Sequence, residues 1–242
     1  MRPMIQIPQW FDDSKLMKAT RVPRVKICCI SSVEEAALAV ECGASSLGLV
    51  SSMPSGPGVI SDELIAKIAA TVPPAIGTFL LTSRQRVADI IEQQKFCRTN
   101  TIQICDHLTD GTHRDLKDAL PGISIVQVVH VTGPGSVEEA AKAALGVDAI
   151  LLDSGKQTLA VKELGGTGRT HDWSLSRAIR EKIGVPLFLA GGLTSANVGD
   201  AIDEVGPFGL DLCSGVRSGG RLDKTKLKEF FEVLQDAAAQ CI

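Results

Sequence analysis

Eight short, nearly continuous apolar segments recur along the chain, and each is separated from the next by a stretch with helical periodicity. The segments are residues 24–30, 46–50, 75–81, 101–105, 124–131, 148–153, 186–190 and 208–213. Apolar strands that alternate with helices are typical of a parallel sheet covered on its outer face. Eight such units in 242 residues predict a single α/β domain, a (β/α)₈ TIM barrel with a parallel eight-stranded sheet.

The domain boundaries follow from where these segments begin. Residues 24–242 hold all eight segments and are predicted to be the barrel domain, whereas residues 1–23 form an N-terminal extension, expected to pack against or across the barrel bottom. Polar residues that precede the apolar periodic runs are candidate helix N-caps. They are Ser32, Ser61, Ser136 and the pair Thr194-Ser195. Ser32 with Glu35 predicts a capping box, and Cys42-Gly43 is predicted to end that first helix.

Composition argues against several classes of function. With 25 Lys and Arg against 28 Asp and Glu, the net charge is −3 and no basic stripe is present, so no nucleic-acid partner is expected. The chain has neither a secretory apolar run at its start nor a span of about 20 apolar residues, so we expect a cytoplasmic protein without membrane contact. Its seven cysteines form no CxxC pair and its four histidines show no short ligand spacing. No metal site is therefore expected.

Glycine pairs follow the last two predicted strands, where barrels of this type often bind phosphate. Gly191-Gly192 follows the seventh strand and Ser214-Gly215 follows the eighth. Glycine lets backbone amides approach an anion closely, and a helix N-terminus adds a positive dipole end. Together the two pairs predict a phosphate site. A third cluster, which includes Gly166 and Gly168, follows the sixth strand and is open to three interpretations: a lid, a third wall of that site, or a plain surface loop.

Three ionisable side chains lie at or near strand ends. Cys28 in the first strand could act as a base, and Asp153 at the end of the sixth could act as a general acid. The alternatives are a buried small hydrophobe for Cys28 and a capping or solvated carboxylate for Asp153. Asp211 lies between apolar residues of the eighth strand, so it should have a specific partner.

Taken together and in order, these motifs resemble the phosphoribosylanthranilate isomerase family, over about residues 24 to 236. The matching stretches are residues 25–28, 43–44, 151–153, the GGTG and DW motifs of 165–173, residues 190–193 with 197–198, and Asp211 with 214–216. The resemblance implies an Amadori rearrangement of an N-linked phosphoribosyl amine, from aminoaldose to aminoketose, in tryptophan biosynthesis and without a metal or cofactor. It implies that Asp153 protonates the furanose ring oxygen and that Cys28 removes the proton from the adjacent sugar carbon. The implied binding residues are Gly166, Gly168, Gly191, Gly192, Asp211, Ser214 and Gly215.

The chain departs from the family mainly where the amine-linked group would bind. The family's arginine in the loop after strand two, which grips the anthranilate carboxylate, is replaced by glycine at about Gly58. The glycine after the catalytic cysteine is replaced by Cys29, whose side chain we expect to point toward the helices because strand neighbours alternate. Other departures are Leu81 for an asparagine, Cys105-Asp106 in the QLHG motif, Gln127 for a lysine and Arg217 for the glutamate of SGVE. Anthranilate-bearing ligands are therefore expected to bind weakly, and arginine at position 58 is expected to improve their binding.

Three functions fit this pattern. One is a working isomerase in which Arg84, Arg86 or Arg217 replaces the missing arginine. Another is a diverged paralogue that acts on a different phosphorylated N-glycoside. The third is a phosphosugar-binding protein without turnover, which retention of Cys28 and Asp153 disfavours. The expected partner is a phosphorylated sugar-amine substrate, and the chain is expected to be a monomer or a homodimer.

Overall fold

Eight parallel strands pair in sequential order and close into a barrel where β1 meets β8 in the computed structural model, which describes residues 22–155, 164, 168 and 170–239. The strands are β1 Arg24–Ile27, β2 Ser46–Val50, β3 Gly77–Thr82, β4 Thr101–Ile104, β5 Ser124–His130, β6 Ala149–Asp153, β7 Leu187–Leu189 and β8 Gly209–Leu212. The predicted (β/α)₈ barrel is confirmed. Residues 1–21 of the predicted extension lie outside the described residues, so its placement stays a prediction.

Helices follow the strands and cover the outside of the barrel. They are α1 Val33–Glu41, α2 Asp62–Thr71, α3 Val87–Cys97, α4 His113–Ala119, α5 Gly135–Ala144, α6 Trp173–Lys182, α7 Val198–Val205 and α8 Lys224–Ala239. A 3₁₀ helix, Ser214–Val216, and a short antiparallel pair, β9 Arg217–Ser218 with β10 Arg221–Leu222, lie between β8 and α8. None of the described helices is both long and apolar enough to cross a bilayer.

Alternation along the strands divides the core into two layers. On β6, Ile150 and Leu152 pack outward against the helices, whereas Ala149 and Leu151 belong to the cluster inside the barrel. This is the two-residue period expected of strand side chains. The inner layer also contains Phe79, which meets Phe188 edge to face with 5.9 Å between ring centroids. Side chains of this inner layer thus fill the middle of the barrel.

Two of the predicted helix caps form as expected. Ser32 Oγ accepts from the backbone N–H of Glu35 at 3.2 Å, and Ser61 Oγ accepts from that of Leu64 at 3.3 Å. The predicted capping box is incomplete, because the Glu35 carboxylate accepts from the N–H of Ser31 instead of Ser32. Gly43, with φ of +110°, follows the end of α1 as predicted.

The other two cap predictions are wrong. Helix α5 begins at Gly135, one residue before Ser136, whose buried hydroxyl donates to the carbonyl of His130 at 3.2 Å. Helix α7 begins at Val198, later than Thr194-Ser195 would require, and its N-cap Asn197 makes no side-chain cap bond. The side-chain oxygen Oδ1 of Asn197 instead accepts from the backbone N–H of Thr194 at 2.8 Å. In both places a side chain that could cap a helix stabilises a loop at the carboxyl end of the barrel.

Candidate active site

A pocket that is open to solvent lies at the carboxyl end of the barrel. Among its walls are seven of the predicted site residues: Cys28, Asp153, Gly168, Gly191, Gly192, Asp211 and Ser214. Gly215 lies next to the pocket and not in its wall, and Gly166 lies outside the described residues. These seven residues bring one thiol, two carboxyls and glycine-rich loops to the pocket, and they come from the ends of β1, β6, β7 and β8.

Cys28 lies immediately after β1 and is fixed by the backbone of the neighbouring strand. Its N–H donates to the carbonyl of Leu212 at 2.7 Å, and 7% of the residue is exposed. On the other side, Gly48 of β2 leaves the space that the thiol occupies, because a Cβ atom there would lie 2.9 Å from Cys28 Sγ. Cys28 is thus buried, but its thiol faces the pocket.

Asp153 ends β6 and points into the same pocket. One of its carboxylate oxygens, Oδ1, accepts from the backbone N–H of Ser154 at 2.7 Å. His130 is its register partner on β5, and His171 lies in the approach to α6. Burial lowers the pKa of both imidazoles although the Asp153 carboxylate opposes that change. Burial thus favours the neutral form of both rings.

Asp211 has the specific partner that its position demands. The Lys26 ammonium lies 2.8 Å from Asp211 Oδ2, and the lysine side chain is fully buried. Burial opposes the charge on Lys26, but the carboxylate of Asp211 outweighs it and raises the pKa of Lys26. Burial raises the pKa of Asp211, and the Lys26 ammonium counteracts this. The other oxygen, Asp211 Oδ1, is buried with no hydrogen-bond partner among the described residues, which leaves an acceptor at the pocket wall.

Three glycine-rich loops converge on one side of the pocket. Gly191 and Gly192 have φ of +89° and +64°, a backbone conformation that favours glycine. At Gly215 a Cβ atom would lie 2.0 Å from the carbonyl oxygen of Leu193, so the loops after β7 and β8 approach each other as closely as glycine allows. A Cβ on Gly168 would lie 3.3 Å from Ser214 Oγ. Gly168 thus lies in the pocket wall, and the role of its cluster stays a prediction.

The Cys29 side chain does not point in the direction predicted from the sequence. Strand β1 ends at Ile27, so the alternation of strand side chains does not extend to Cys29, which has φ of +62°. Its thiol faces the pocket instead of the helices and lies 2.9 Å from Cys213 Sγ and 3.6 Å from the carbonyl oxygen of Pro57. The prediction that Cys29 points toward the helices is wrong.

The loop after β2 packs against Cys29. Gly58 has φ of +77°, and a Cβ atom on it would lie 2.4 Å from that of Cys29. An arginine at position 58 therefore does not fit this backbone unless the loop or Cys29 shifts. The expectation that arginine here improves ligand binding holds only if the loop can follow the family's path, and it stays a prediction. The nearby pocket wall is largely apolar, formed by Val50, Met53 and Leu81 with Leu164.

None of the three arginines considered as replacements lines the pocket among the described residues. Arg84 pairs with Asp62 at 3.4 Å, and Arg86 with Asp110 at 3.5 Å. Arg217 pairs with Glu35 at 3.1 Å and also donates to the carbonyls of Cys28 and Cys29. Its guanidinium therefore holds the loop that carries Cys28.

Sequence reasoning assigned no role to three residues that shape the site. Lys26 was recognisable as a lysine inside an apolar strand, which needs a buried partner as much as Asp211 does. Gly48 interrupts an apolar strand, a sign of close approach by a neighbour. Cys213 carries no such signal, because a cysteine at the end of a strand is usually a small buried hydrophobe.

Comparison with known sequences agrees with this geometry. The model of the N-(5'-phosphoribosyl)anthranilate isomerase family matches residues 25–233. Among similar proteins, N-(5'-phosphoribosyl)anthranilate isomerase 2 of Methanosarcina mazei is 36% identical over 209 residues, which cover 86% of this chain and 92% of that protein. The N-(5'-phosphoribosyl)anthranilate isomerase of Halobacterium salinarum is 34% identical over 196 residues, which cover 81% of this chain and 87% of that protein.

Solved structures give the same result. The phosphoribosyl anthranilate isomerase of Thermotoga maritima superposes with a TM-score of 0.73 and 30% identity, over 88% of this chain and 99% of that one. A phosphoribosyl anthranilate isomerase crystallised with reduced 1-(o-carboxyphenylamino)-1-deoxyribulose 5-phosphate superposes with a TM-score of 0.71 and 29% identity, over the same shares of the two chains. By sequence and by fold, the chain belongs to the N-(5'-phosphoribosyl)anthranilate isomerase family.

Proposed function

We propose that this protein is a phosphoribosylanthranilate isomerase of tryptophan biosynthesis, which converts an aminoaldose to an aminoketose by general acid and base catalysis. The observation that carries the proposal is that Cys28 and Asp153 line one pocket together with the glycine-rich loops after β6, β7 and β8. Family membership and the named relatives support the same reaction. The substrate is a phosphorylated sugar-amine, and the proposed location is the cytoplasm.

Substrate binding is proposed to begin at the phosphate. Gly191, Gly192 and Ser214 line the pocket, and the 3₁₀ helix Ser214–Val216 begins at its wall. Backbone N–H groups of these residues are proposed to bind the phosphate. Gly166 and Gly168 are proposed to complete this site, and Gly215 to keep its two main loops together. With the phosphate held there, the Asp211 oxygen that has no partner can accept a hydrogen bond from a sugar hydroxyl.

The chemical steps use the two groups across the pocket. Asp153 donates a proton to the furanose ring oxygen, the bond from that oxygen to the anomeric carbon breaks, and the nitrogen lone pair forms a Schiff base. Cys28 then removes the proton from the adjacent carbon, which gives an enolamine that tautomerises to the ketone. Neither step needs a metal or an organic cofactor. The pocket holds both groups and the sugar in one orientation, and this fixed geometry accelerates the reaction.

The amine-linked ring would lie against the apolar wall formed by Met53, Leu81 and Leu164. In the related structure described above, the bound ligand carries a carboxyphenylamino group. No arginine lines the described part of the wall, so the carboxylate of such a group has no guanidinium partner there. We therefore propose a higher KM for phosphoribosylanthranilate than an arginine-containing site would give. Both a monomer and a homodimer are compatible with this site, which one chain supplies.

The test is turnover of phosphoribosylanthranilate, followed by the loss of its fluorescence, in the parent protein and in the Cys28→Ala and Asp153→Asn variants. Each substitution should lower kcat by at least about 10²-fold, as expected for loss of a general acid or base. Affinity for inorganic phosphate should change little, because both groups act on the sugar. Cys42→Ala is the matched control, because Cys42 lies at the C-terminal end of α1. This variant should keep full activity.

Activity of both pocket variants within a few-fold of the parent would contradict the assigned roles. A parent protein that binds phosphate but neither turns over phosphoribosylanthranilate nor complements a strain without the isomerase would contradict the proposed function. That result would point to another phosphorylated N-glycoside or to binding without turnover.

A further inference from the structure

Two thiols that the proposed reaction does not use meet at the pocket. Cys29 Sγ lies 2.9 Å from Cys213 Sγ, although the residues are 184 positions apart. Cys29 follows Cys28 in the chain, and Cys213 precedes Ser214. Their contact therefore joins the loop that carries the proposed base to the loop that carries the proposed phosphate site.

The two sulfur atoms lie close enough to react with each other. A disulfide bond is about 2.05 Å long, so bond formation would require the two sulfur atoms to approach by about 1 Å. The protein holds both in place: Cys29 is 4% exposed and its carbonyl accepts from Arg217, while Cys213 is half-buried and lines the pocket. A small reagent that enters the pocket can therefore meet Cys213.

We propose that Cys29 and Cys213 form a reversible disulfide on exposure to small organic disulfides, and that this bond inactivates the pocket. The site is a modification site, distinct from the thiol of Cys28. Its consequence for turnover rests on the proposed isomerase function, whereas formation of the bond does not.

Cys213 is the first nucleophile. The hydrogen bond with Cys29 lowers the pKa of Cys213, burial opposes this, and the nearby Arg217 guanidinium favours the thiolate. The Cys213 thiolate attacks one sulfur of the reagent and releases one small thiol, which leaves a mixed disulfide. Cys29 then attacks the Cys213 sulfur and releases the second small thiol. Two protein thiols are oxidised and one reagent disulfide is reduced, and the two thiol protons leave with the small thiols.

The bond would draw the loops after β1 and β8 together. A displacement of about 1 Å at a reacting group can lower catalysis by about 10²-fold. Because Cys28 and Ser214 are direct chain neighbours of the bonded residues, we expect kcat/KM to fall by at least about 10-fold and to recover on reduction with dithiothreitol.

The experiment exposes the full chain to 2-hydroxyethyl disulfide and then measures intact mass and maps linked peptides. The parent and the Cys28→Ser variant should each lose two hydrogen atoms and contain a Cys29–Cys213 link. Cys29→Ser and Cys213→Ser should contain no internal link. Cys42→Ser, which removes a half-buried thiol outside the pocket, should behave like the parent.

Results of two kinds would overturn the proposal, one in the mass measurement and one in the activity measurement. One is a parent protein that yields only mixed disulfides, or links through Cys28. The other is a fully bridged parent whose kcat/KM is unchanged, or a treated Cys213→Ser variant that loses as much activity as the parent, since the loss would then come from Cys28 itself. The mass measurement needs no turnover, so a failure of the proposed isomerase activity would be recognised separately.

Discussion

Gly58 lies against Cys29 so closely that a Cβ atom on residue 58 would be 2.4 Å from the Cβ of Cys29 and 2.9 Å from its Cα. Both residues also have positive φ. Position 58 therefore accepts no side chain while residue 29 has one. The residue types at positions 29 and 58 therefore depend on each other.

This contact predicts strong coupling between substitutions at the two positions. Gly58→Arg alone should lower the free energy of unfolding by about 2 kcal/mol or more, from steric overlap and strain at positive φ. Adding Cys29→Gly should recover at least about 1 kcal/mol of that loss, because it removes the closest overlapping atom, the Cβ of residue 29, although its Cα remains 2.9 Å away. Urea unfolding of both single variants and the double variant measures the coupling. Strictly additive effects would show that the loop after β2 moves away freely.

The contact between Gly215 and the carbonyl of Leu193 predicts a second effect. Gly215→Ala should force apart the loops after β7 and β8, and should weaken the binding of inorganic phosphate by about one decade or more, since charged hydrogen bonds are worth about 1.5 to 3 kcal/mol. Titration calorimetry with phosphate measures this. The control is Gly199→Ala in α7, where a Cβ meets nothing within 4 Å. It should leave affinity unchanged and stabilise the helix by about 0.5 to 1 kcal/mol. Equal phosphate affinity in both variants would argue against the site.

Removing Lys26 should destabilise the folded protein, because it leaves the Asp211 carboxylate buried without its ammonium partner. Lys26→Met should lower the free energy of unfolding by about 3 to 5 kcal/mol at neutral pH, and Lys26→Met with Asp211→Leu should restore much of it. In the single variant, burial raises the carboxyl pKa with no ammonium to oppose it, so folding favours the protonated acid. The deficit should therefore shrink as the pH falls toward about 4. Chemical unfolding of the parent and Lys26→Met at several pH values measures this loss of stability. A loss that does not depend on pH would contradict the prediction.

Glu35 should make stability depend on acid pH. Burial alone would raise the pKa of Glu35, but hydrogen bonds from Arg217 and from the N–H groups of Leu222 and Ser31 outweigh it and lower the pKa. Because the folded value lies below the unfolded one, this stabilisation is complete above about pH 4.5 and is lost as the pH falls through the folded value.

Glu35→Gln should consequently cost about 1.5 to 3 kcal/mol at pH 7 and show a shallower loss of stability on acidification than the parent. Glu41→Gln, which removes an exposed carboxylate at the other end of α1, should change stability by less than about 0.5 kcal/mol at pH 7. Parallel pH profiles for the parent and Glu35→Gln would show that the Arg217 contact does not form in solution.

The barrel was predictable from the sequence because apolar strand segments and the helical stretches between them can each be recognised from neighbouring residues. Strand β2 matches its predicted segment exactly at residues 46–50, whereas β1 ends at Ile27 and not at residue 30. Cys28, Cys29 and Ile30 are buried, but they lie in a loop. Hydrophobicity reports burial and does not separate a buried strand from a buried loop.

The pocket was less predictable because it depends on contacts between distant residues. The sequence shows that Cys29 and Gly58 differ from the family, but not that they touch. Arg217 could be considered as a carboxylate partner in the sequence, yet it is bound to Glu35, 182 positions away, and to the loop after β1. Residue type indicated which groups could do chemistry, and only the fold shows which of them face the pocket.

The pairing of Lys26 with Asp211 limits the order in which the protein can fold during synthesis. The two residues are 185 positions apart. At about 5 to 20 residues per second, the ribosome adds Asp211 roughly 10 to 40 s after Lys26. Throughout that interval the lysine has no carboxylate to accompany it into the interior, and β1 has no β8 to pair with. During synthesis β1 can therefore pair with β2, but burial of Lys26 would leave its ammonium without a counterion, and the barrel can close only after Asp211 has been added.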